Sequence, residues 1–165
     1  MAKNTKESND IVQPFRANAH LLKLLGDELI GDDRLAVFEL VKNAYDANAT
    51  SVDVTLNLKG KNPNIIIWDH SGSGMTKEDI LGKWMEIGTN SKRSENKVRT
   101  PPPLNRLPLG EKGVGRLAVH KLGKQLTINT KAEDSVEHQI TIDWPKLIDE
   151  AEYIEDTKVT ITPLD

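Results

Sequence analysis

An uninterrupted apolar run, Asn64-Ile-Ile-Ile-Trp68, limits the folds open to this chain more than any other segment. A run of this length, rich in β-branched residues, is typical of a central strand that is covered on both faces. Before it, Ser51 to Leu58 alternates apolar and polar residues, which predicts a half-buried strand, and Gly60 to Pro63 predicts a turn. The apolar run ends at Asp69 and passes into a glycine-rich loop.

Helical patterns lie on either side of these strands. Apolar residues recur at helical spacing from Arg16 to Leu25, and Asp32 or Asp33 can cap a second helix that continues to about Asn48. Thr76, with Asp79 three residues later, predicts a capping box for a third helix that ends near Ile87. The first half of the chain therefore predicts helices packed beside a sheet.

The second half begins with a long irregular segment, from Gly88 to Gly110, rich in proline and basic residues. A helix is predicted between Gly115 and Gly123, strands are predicted at 124–130, 137–143 and 158–162, and 144–154 is ambiguous. This order predicts an α+β two-layer sandwich whose sheet is mixed and mostly antiparallel, with helices on one face. Residues 1–14 are predicted to be a flexible arm and 15–165 one domain.

Composition excludes several classes of function. With a net charge of −3, the 165-residue chain lacks the basic stripe expected of a general nucleic-acid or membrane-surface binder. It has no cysteine, which excludes disulfides and thiolate metal sites. The polar start and the lack of a long apolar run predict a cytoplasmic protein with no secretory signal or membrane span. The chain stops directly after a predicted strand, so we expect it to be a fragment of a longer protein.

Three polar residues on the second helix are candidates for chemistry. Glu39, Asn43 and Asp46 are spaced i, i+4 and i+7, which places them on one ridge. Carboxylate and carboxamide oxygens suit Mg²⁺, and a carboxylate can deprotonate a water molecule. A solvated helix face is the alternative, since polar ridges are common on surface helices.

Two glycine-rich loops are further candidates. Asp69-His-Ser-Gly-Ser-Gly-Met75 follows the apolar strand, where a carboxylate can accept a hydrogen bond from an exocyclic amine such as that of adenine. An ordinary strand-to-helix turn is the alternative. Gly110-Glu-Lys-Gly-Val-Gly115 opens a helix and can cradle phosphate, with Lys112 adding charge. It is not a Walker A loop, because Arg116 and Leu117 follow Gly115.

Together these motifs resemble the GHKL ATPases, which include gyrase, the large heat-shock chaperone, histidine kinases and MutL. The string from Glu39 to Asp46 resembles their N-box, Asp69 to Thr76 the first glycine box, and Gly110 to Gly115 the second. The strand with Thr157 resembles the late strand that touches the adenine site. Trp84 to Lys92 is similar to a stretch in MORC-like and related bacterial members. The resemblance implies the Bergerat-type ATP-binding fold.

The resemblance also implies a role for each matching residue. Glu39 would activate the attacking water, Asn43 would bind Mg²⁺, and Asp69 would accept from the adenine amino group. The remaining nucleotide contacts implied are Asp46, Gly72, Gly74, Met75, Lys92, Gly110, Lys112, Gly113, Val114, Gly115 and Thr157. Residues from about Ser94 to Leu109 would form an ATP lid that is mobile without ligand.

Two departures from the family pattern concern the adenine end. His70 and Ser71 both stand between Asp69 and Gly72, where the usual box has one residue, so either the loop bulges or the register of Asp69 differs. Asp156 stands where relatives often have glycine before the threonine.

Three functions remain open from the sequence. The chain is expected to bind Mg²⁺-ATP and hydrolyse it slowly, coupled to lid closure and to homodimerisation in the full-length protein. A nucleotide-gated dimerisation or scaffold module with negligible turnover is the first alternative. A histidine-kinase-type catalytic domain is the second, although Glu39 at the head of the N-box favours hydrolysis.

Overall fold

The computed structural model describes residues 13–29, 31–88, 98–110 and 115–164. Its helices and strands are α1 (His20–Leu29), α2 (Asp33–Asp46), β1 (Ser51–Asn57), β2 (Asn64–His70), α3 (Lys77–Asp79), a π-helical turn (Ile80–Trp84), a 3-10 turn (Gly115–Ala118), α4 (Val119–Leu122), β3 (Gln125–Thr130), β4 (Glu137–Asp143), α5 (Trp144–Asp149), a second 3-10 turn (Ile154–Asp156) and β5 (Thr160–Leu164).

Helix α2 begins where the sequence predicts. The side chain of Asp32 accepts hydrogen bonds from the backbone N–H groups of Arg34, at 2.8 Å, and Leu35, at 3.0 Å. These contacts satisfy donors that the first turn of a helix leaves without partners. Ala36 is fully buried against Ala118, so the small residues of α2 let it approach the 3-10 turn closely.

Helix α1 begins four residues later than the predicted Arg16. Ala17 and Asn18 instead pair with the segment around Tyr153: the N–H of Ile154 donates to the Ala17 carbonyl at 2.9 Å. Asn18 then accepts the His20 N–H on its side-chain oxygen at 2.9 Å, which starts the helix there. The bridge is a long-range contact that helical periodicity does not encode.

The capping box of α3 is confirmed, since Thr76 and Asp79 bond to each other's backbone N–H groups. After one turn, however, the helix widens into a π-helical turn, in which the N–H of Met85 donates to the Ile80 carbonyl at 2.8 Å. Such widened turns are frequent at functional sites. The helical segment ends at Trp84, short of the predicted Ile87.

The described strands form two antiparallel sheets. Strands β1 and β2 make a hairpin with Ser51 opposite His70, and β3, β4 and β5 make a three-stranded sheet in that order. The predicted α+β architecture is confirmed, in an open arrangement. The predicted central position of the Asn64–Trp68 strand is not met, because among the described strands β2 pairs with β1 alone and Trp68 is 65% exposed.

The main core lies between the helices and the three-stranded sheet. Ile140 on the central strand β4 is fully buried, and Ile142 on the same strand packs into a cluster with side chains from α1, α5 and the 3-10 turn. That cluster consists of Leu22, Leu117, Ile142, Trp144 and Leu147. The core therefore fixes the Gly115 end of the second glycine-rich loop against a rigid base.

Candidate functional site

A large groove lies between the hairpin and the three-stranded sheet, with α2 along one side. Its volume is about 1800 Å³, well above the roughly 300–1,000 Å³ of a pocket closed around a small molecule. Nine of the residues predicted to form the site line it: Glu39, Asn43, Asp46, Asp69, Gly72, Gly74, Met75, Gly110 and Gly115. Segments far apart in sequence thus meet at one open groove.

Glu39 lies on α2 and faces the 3-10 turn that begins at Gly115. One carboxylate oxygen accepts from the Lys42 ammonium group at 2.5 Å, and both side chains are mostly buried. The other oxygen lies next to Gly115, where an added Cβ would be 3.0 Å from it. The glycine therefore leaves the space beside the carboxylate open. Lys42, which also lines the groove, was not singled out from the sequence.

Asn43 is exposed to the groove one turn after Glu39. Within the described ranges, no three His, Cys, Asp or Glu side chains come together as a metal site. The carboxamide oxygen of Asn43 is a hard ligand of the kind that Mg²⁺ prefers, and Mg²⁺ bound with nucleotides commonly takes its other ligands from phosphate and water. The carboxamide at this position fits that role.

Asp46 contacts the protein backbone at the start of the second glycine-rich loop. Its two carboxylate oxygens accept from the N–H groups of Leu109, at 2.7 Å, and Gly110, at 3.0 Å. The predicted direct contact of Asp46 with nucleotide remains a prediction.

Asp69 lies near the end of β2, opposite Val52. Its carboxylate sits over the loop, since a Cβ on Gly72 would be 2.7 Å from one of its oxygens. Ser71 adopts a left-handed conformation with φ of 61°, which is uncommon for residues other than glycine. Asp69 is thus paired within β2, and the backbone turns at Ser71 directly before Gly72.

His70 points to the outer face of the hairpin. Its Nε2 lies 2.8 Å from a carboxylate oxygen of Asp53 on β1, and its ring stacks on Trp68 with 6.1 Å between the centroids. This contact places the His70 side chain on the opposite face of the strand from its neighbour Asp69.

The loop end formed by Gly74 and Met75 docks on β3. Gly74 has φ of 61°, and a Cβ there would overlap the carbonyl group of Lys131. The N–H of Met75 donates to the Thr130 hydroxyl oxygen at 2.9 Å. Thr130 was missed by the sequence analysis, although the alternation of Leu126, Ile128 and Thr130 on one face of β3 was a signal for it.

Other predicted residues are placed differently. Lys92, Lys112, Gly113 and Val114 lie outside the described residues. Thr157 is outside the groove lining: its hydroxyl donates to the Ile154 carbonyl at 2.7 Å, and β5 is separated from β3 by β4. The structure therefore does not bring Thr157 to the other predicted residues, and its contact with nucleotide stays a prediction.

The described part of the predicted lid is held by polar anchors. Asn48 donates to the Pro101 carbonyl at 3.3 Å, and the Arg106 guanidinium donates to the Ala49 carbonyl at 2.7 Å. The composition of this segment predicted few apolar anchors, and the anchors described here are polar. Residues 94–97 of the predicted lid lie outside the described residues.

Arg116, which follows Gly115, is bonded to the π-helical turn. Its guanidinium donates to the carbonyl of Lys83 at 2.6 Å and to that of Trp84. Burial lowers the pKa of Arg116 below its ordinary value, and the charge of Glu86 opposes that shift. The residue after the glycine-rich loop thus satisfies backbone acceptors at the end of the widened helix.

Residues 34–164 match a family described as "Histidine kinase-, DNA gyrase B-, and HSP90-like ATPase". The DNA mismatch repair protein MutL of Rickettsia africae (strain ESF-5) is 30% identical over 128 residues, which cover 78% of this chain and 20% of that protein. MutL of Rickettsia bellii (strain OSU 85-389) is 31% identical over 144 residues, or 86% of this chain and 22% of that protein.

The chain spans about a fifth of the length of these curated relatives. Among the described helices, none combines the length and the apolar character needed to cross a membrane.

Proposed function

Because the chain belongs to the family of histidine kinase-, DNA gyrase B- and HSP90-like ATPases, the GHKL superfamily, we propose that its groove binds Mg²⁺-ATP and hydrolyses it slowly. The observation that carries the proposal is the convergence of Glu39, Asn43 and Asp69 with the glycines of both loops on one groove. In a longer protein, ATP binding would promote homodimerisation.

The residues divide the work by chemistry. Asp69 accepts a hydrogen bond from the adenine amino group, and the oxygen of Asn43 holds the metal, whose charge offsets that of the phosphates. Glu39 takes a proton from the attacking water beside Gly115, where the missing side chain leaves room. Gly110 and Gly115 bring the backbone of the second loop close to the phosphates.

Two substitutions test this division. Asn43→Ala is expected to weaken Mg²⁺-ATP binding, measured by calorimetry. Glu39→Gln is expected to bind with the parent affinity and to stop phosphate release in a single-turnover assay, because the carboxamide accepts no proton from water. Turnover at the parent rate by Glu39→Gln would exclude the general-base role. If the 165-residue chain is inactive, the assay is made on the longer protein.

The proposed recognition of adenine by Asp69 can be tested through nucleotide specificity. Asp69 suits the amino group of adenine, whereas guanine presents a carbonyl oxygen at the equivalent position. We expect ATP to bind more tightly than GTP in competition calorimetry. Equal affinities would remove the assignment of Asp69 to the base.

One contact favours a second candidate, a nucleotide-gated dimerisation module with negligible turnover. The 2.5 Å ion pair with Lys42 occupies one oxygen of Glu39, so that oxygen is less available to an attacking water. Lys42→Gln removes the pair. Faster phosphate release in this variant would show that the ion pair restrains hydrolysis, whereas no turnover in either protein would favour the module.

A further inference from the structure

The segment from Arg106 to Gly110 lies along the last turn of α2 and is tied to it at two points. The first tie is Asp46, whose two oxygens accept from the consecutive N–H groups of Leu109 and Gly110, at 2.7 and 3.0 Å. Hydrogen bonds to a charged acceptor are stronger than those between neutral groups. Asp46 therefore holds the backbone at the first glycine of the second glycine-rich loop.

The second tie is Arg106. Its guanidinium donates to the Ala49 carbonyl at 2.7 Å and to the Tyr45 carbonyl at 3.5 Å, and it lies over the Tyr45 ring, 4.5 Å from the centroid. The last carbonyls of a helix have no partners within the helix and carry the negative end of its dipole. The half-buried Arg106 supplies the cation that this end of α2 favours.

The loop side of this contact is itself braced. Thr100 and Arg106 bond to each other across the turn: the Thr100 N–H donates to the Arg106 carbonyl at 2.9 Å, and the Arg106 N–H donates to the Thr100 hydroxyl at 2.8 Å. Arg99 donates to the Asn105 carbonyl at 2.8 Å. The segment that presents Arg106 is therefore a closed turn, and the two ties act on a preformed unit.

Asp46 stands on the same ridge of α2 as Glu39 and Asn43. From these contacts we propose that Asp46 is a positioning residue: together with Arg106 it holds the backbone of Leu109 and Gly110 against α2, so that Gly110 keeps its place relative to Glu39 and Asn43. The inference rests on the proposed function, because the loop is the part of the site that meets phosphate. Asp46 acts on the nucleotide through the backbone of Gly110.

The first measurement needs no nucleotide. In the 165-residue chain, Asp46→Asn replaces one acceptor oxygen with a carboxamide NH₂ group, a donor that cannot accept from a backbone N–H. We expect amide exchange at Leu109 and Gly110, followed by NMR, to become faster by about tenfold or more. Asp27→Asn on α1 is the control, since it removes one exposed negative charge and leaves the tie intact. Unchanged exchange at both amides in Asp46→Asn would overturn the tie.

The second measurement separates positioning from general loss of structure. Asp46→Asn is expected to lower the affinity for Mg²⁺-ATP by about tenfold, the loss of one charged hydrogen bond, with the affinity for adenosine unchanged. Equal losses for both ligands would mean that the variant is merely destabilised, and an unchanged ATP affinity would mean that the loop needs no positioning. If the parent chain binds neither ligand, the proposed function fails, and exchange alone then decides whether the tie exists.

The joint action of the two residues has its own test. Arg106→Lys keeps the charge and loses the planar guanidinium, whose Nη1 donates to both carbonyls and whose face lies over the Tyr45 ring. If the residues form one unit, exchange at Leu109 and Gly110 in the double variant will be slower than the two single effects multiplied together. If the two single effects simply multiply, Asp46 and Arg106 are independent ties, and the proposal that they act together is wrong.

Discussion

At the scale of single residues, the position with the least room is Gly74. Its backbone is left-handed, which is unfavourable for alanine, and an added Cβ would overlap the Lys131 carbonyl group. Gly74→Ala is expected to lower the free energy of unfolding by roughly 2–5 kcal/mol and to weaken nucleotide binding. Urea unfolding and calorimetry measure the two effects.

A matched glycine shows whether the conflict is specific. Gly82 lies in the π-helical turn, and a Cβ there has no neighbour within 4 Å. Gly82→Ala should leave the free energy of unfolding unchanged or raise it by up to about 1 kcal/mol. Similar stabilities for the two variants would show that the Gly74 contact with Lys131 does not limit the loop.

The residue-scale predictions succeeded where spacing carries the information. Helical spacing alone brought Glu39 and Asn43 to one side of α2, and both line the groove. The partners of Asp46 were out of reach, because Leu109 and Gly110 are 63 and 64 residues away along the chain. The alternation along β3 marked the face on which Thr130 lies, but its contact with Met75 joins two distant segments and could not be predicted from that pattern.

At the scale of elements, the capping box of α3 makes a pH-dependent contribution to stability. The pKa of Asp79 lies below its ordinary value of 3.8, first because the Lys83 ammonium donates to it and then because the Thr76 backbone does. The unfolded chain therefore binds a proton at higher pH than the folded chain. This stabilisation is fully present above pH 3.8 and is lost as the pH falls through the folded-state pKa.

Asp79→Asn tests the sign of this effect. The parent is expected to be more stable than the variant by about 1 kcal/mol at neutral pH, and the difference should shrink as the pH falls below 3.8. Acid titration of the unfolding free energy measures it. Glu78→Gln, an exposed neighbour on the same turn, is the control. A difference that stays constant on acidification would show that the charge of Asp79 contributes nothing.

Arg116 is predicted to stabilise the π-helical turn. Arg116→Met removes the donor to the Lys83 and Trp84 carbonyls and should cost about 2 kcal/mol, with faster amide exchange in the turn. Arg34→Met is the comparison, because the Arg34 side chain is 94% exposed. A loss in Arg116→Met no larger than that in Arg34→Met would show that the guanidinium does not support the turn.

Element boundaries were predictable where a local cap sets them. Asp32 and Thr76 bond to N–H groups two or three residues away, and both caps were identified from the sequence. Helix α1 starts late because Ala17 bonds to the distant Ile154. The widening of the helix after Asp79 is accompanied by carbonyl contacts from Arg116, more than thirty residues on, as the separations of 32 and 33 show.

At the scale of the whole molecule, the predicted class was correct, whereas the predicted central position of the Asn64–Trp68 strand was not. Apolar runs and alternation identified the five strands found in the described residues, because those patterns are properties of single segments. Which strands pair depends on contacts between segments. The run Asn64–Trp68 predicted burial on both faces, yet in the structure Ile66 and Trp68 face outward and are 49% and 65% exposed.

The two separate sheets have a consequence for how the molecule melts. A two-stranded ladder alone is marginally stable, whereas β4 is paired on both edges, so the hairpin should open before the larger sheet. Without nucleotide, the calorimetric enthalpy is then expected to exceed the van't Hoff enthalpy. A ligand that touches Asp69 and Gly115 at once would act as a cross-link between two melting units, and saturating Mg²⁺-ATP should bring the enthalpies together. If the calorimetric and van't Hoff enthalpies are equal with and without ATP, the helices already couple the two sheets. If they become equal only when ATP is bound, the ligand supplies the cooperativity that the backbone ladders lack.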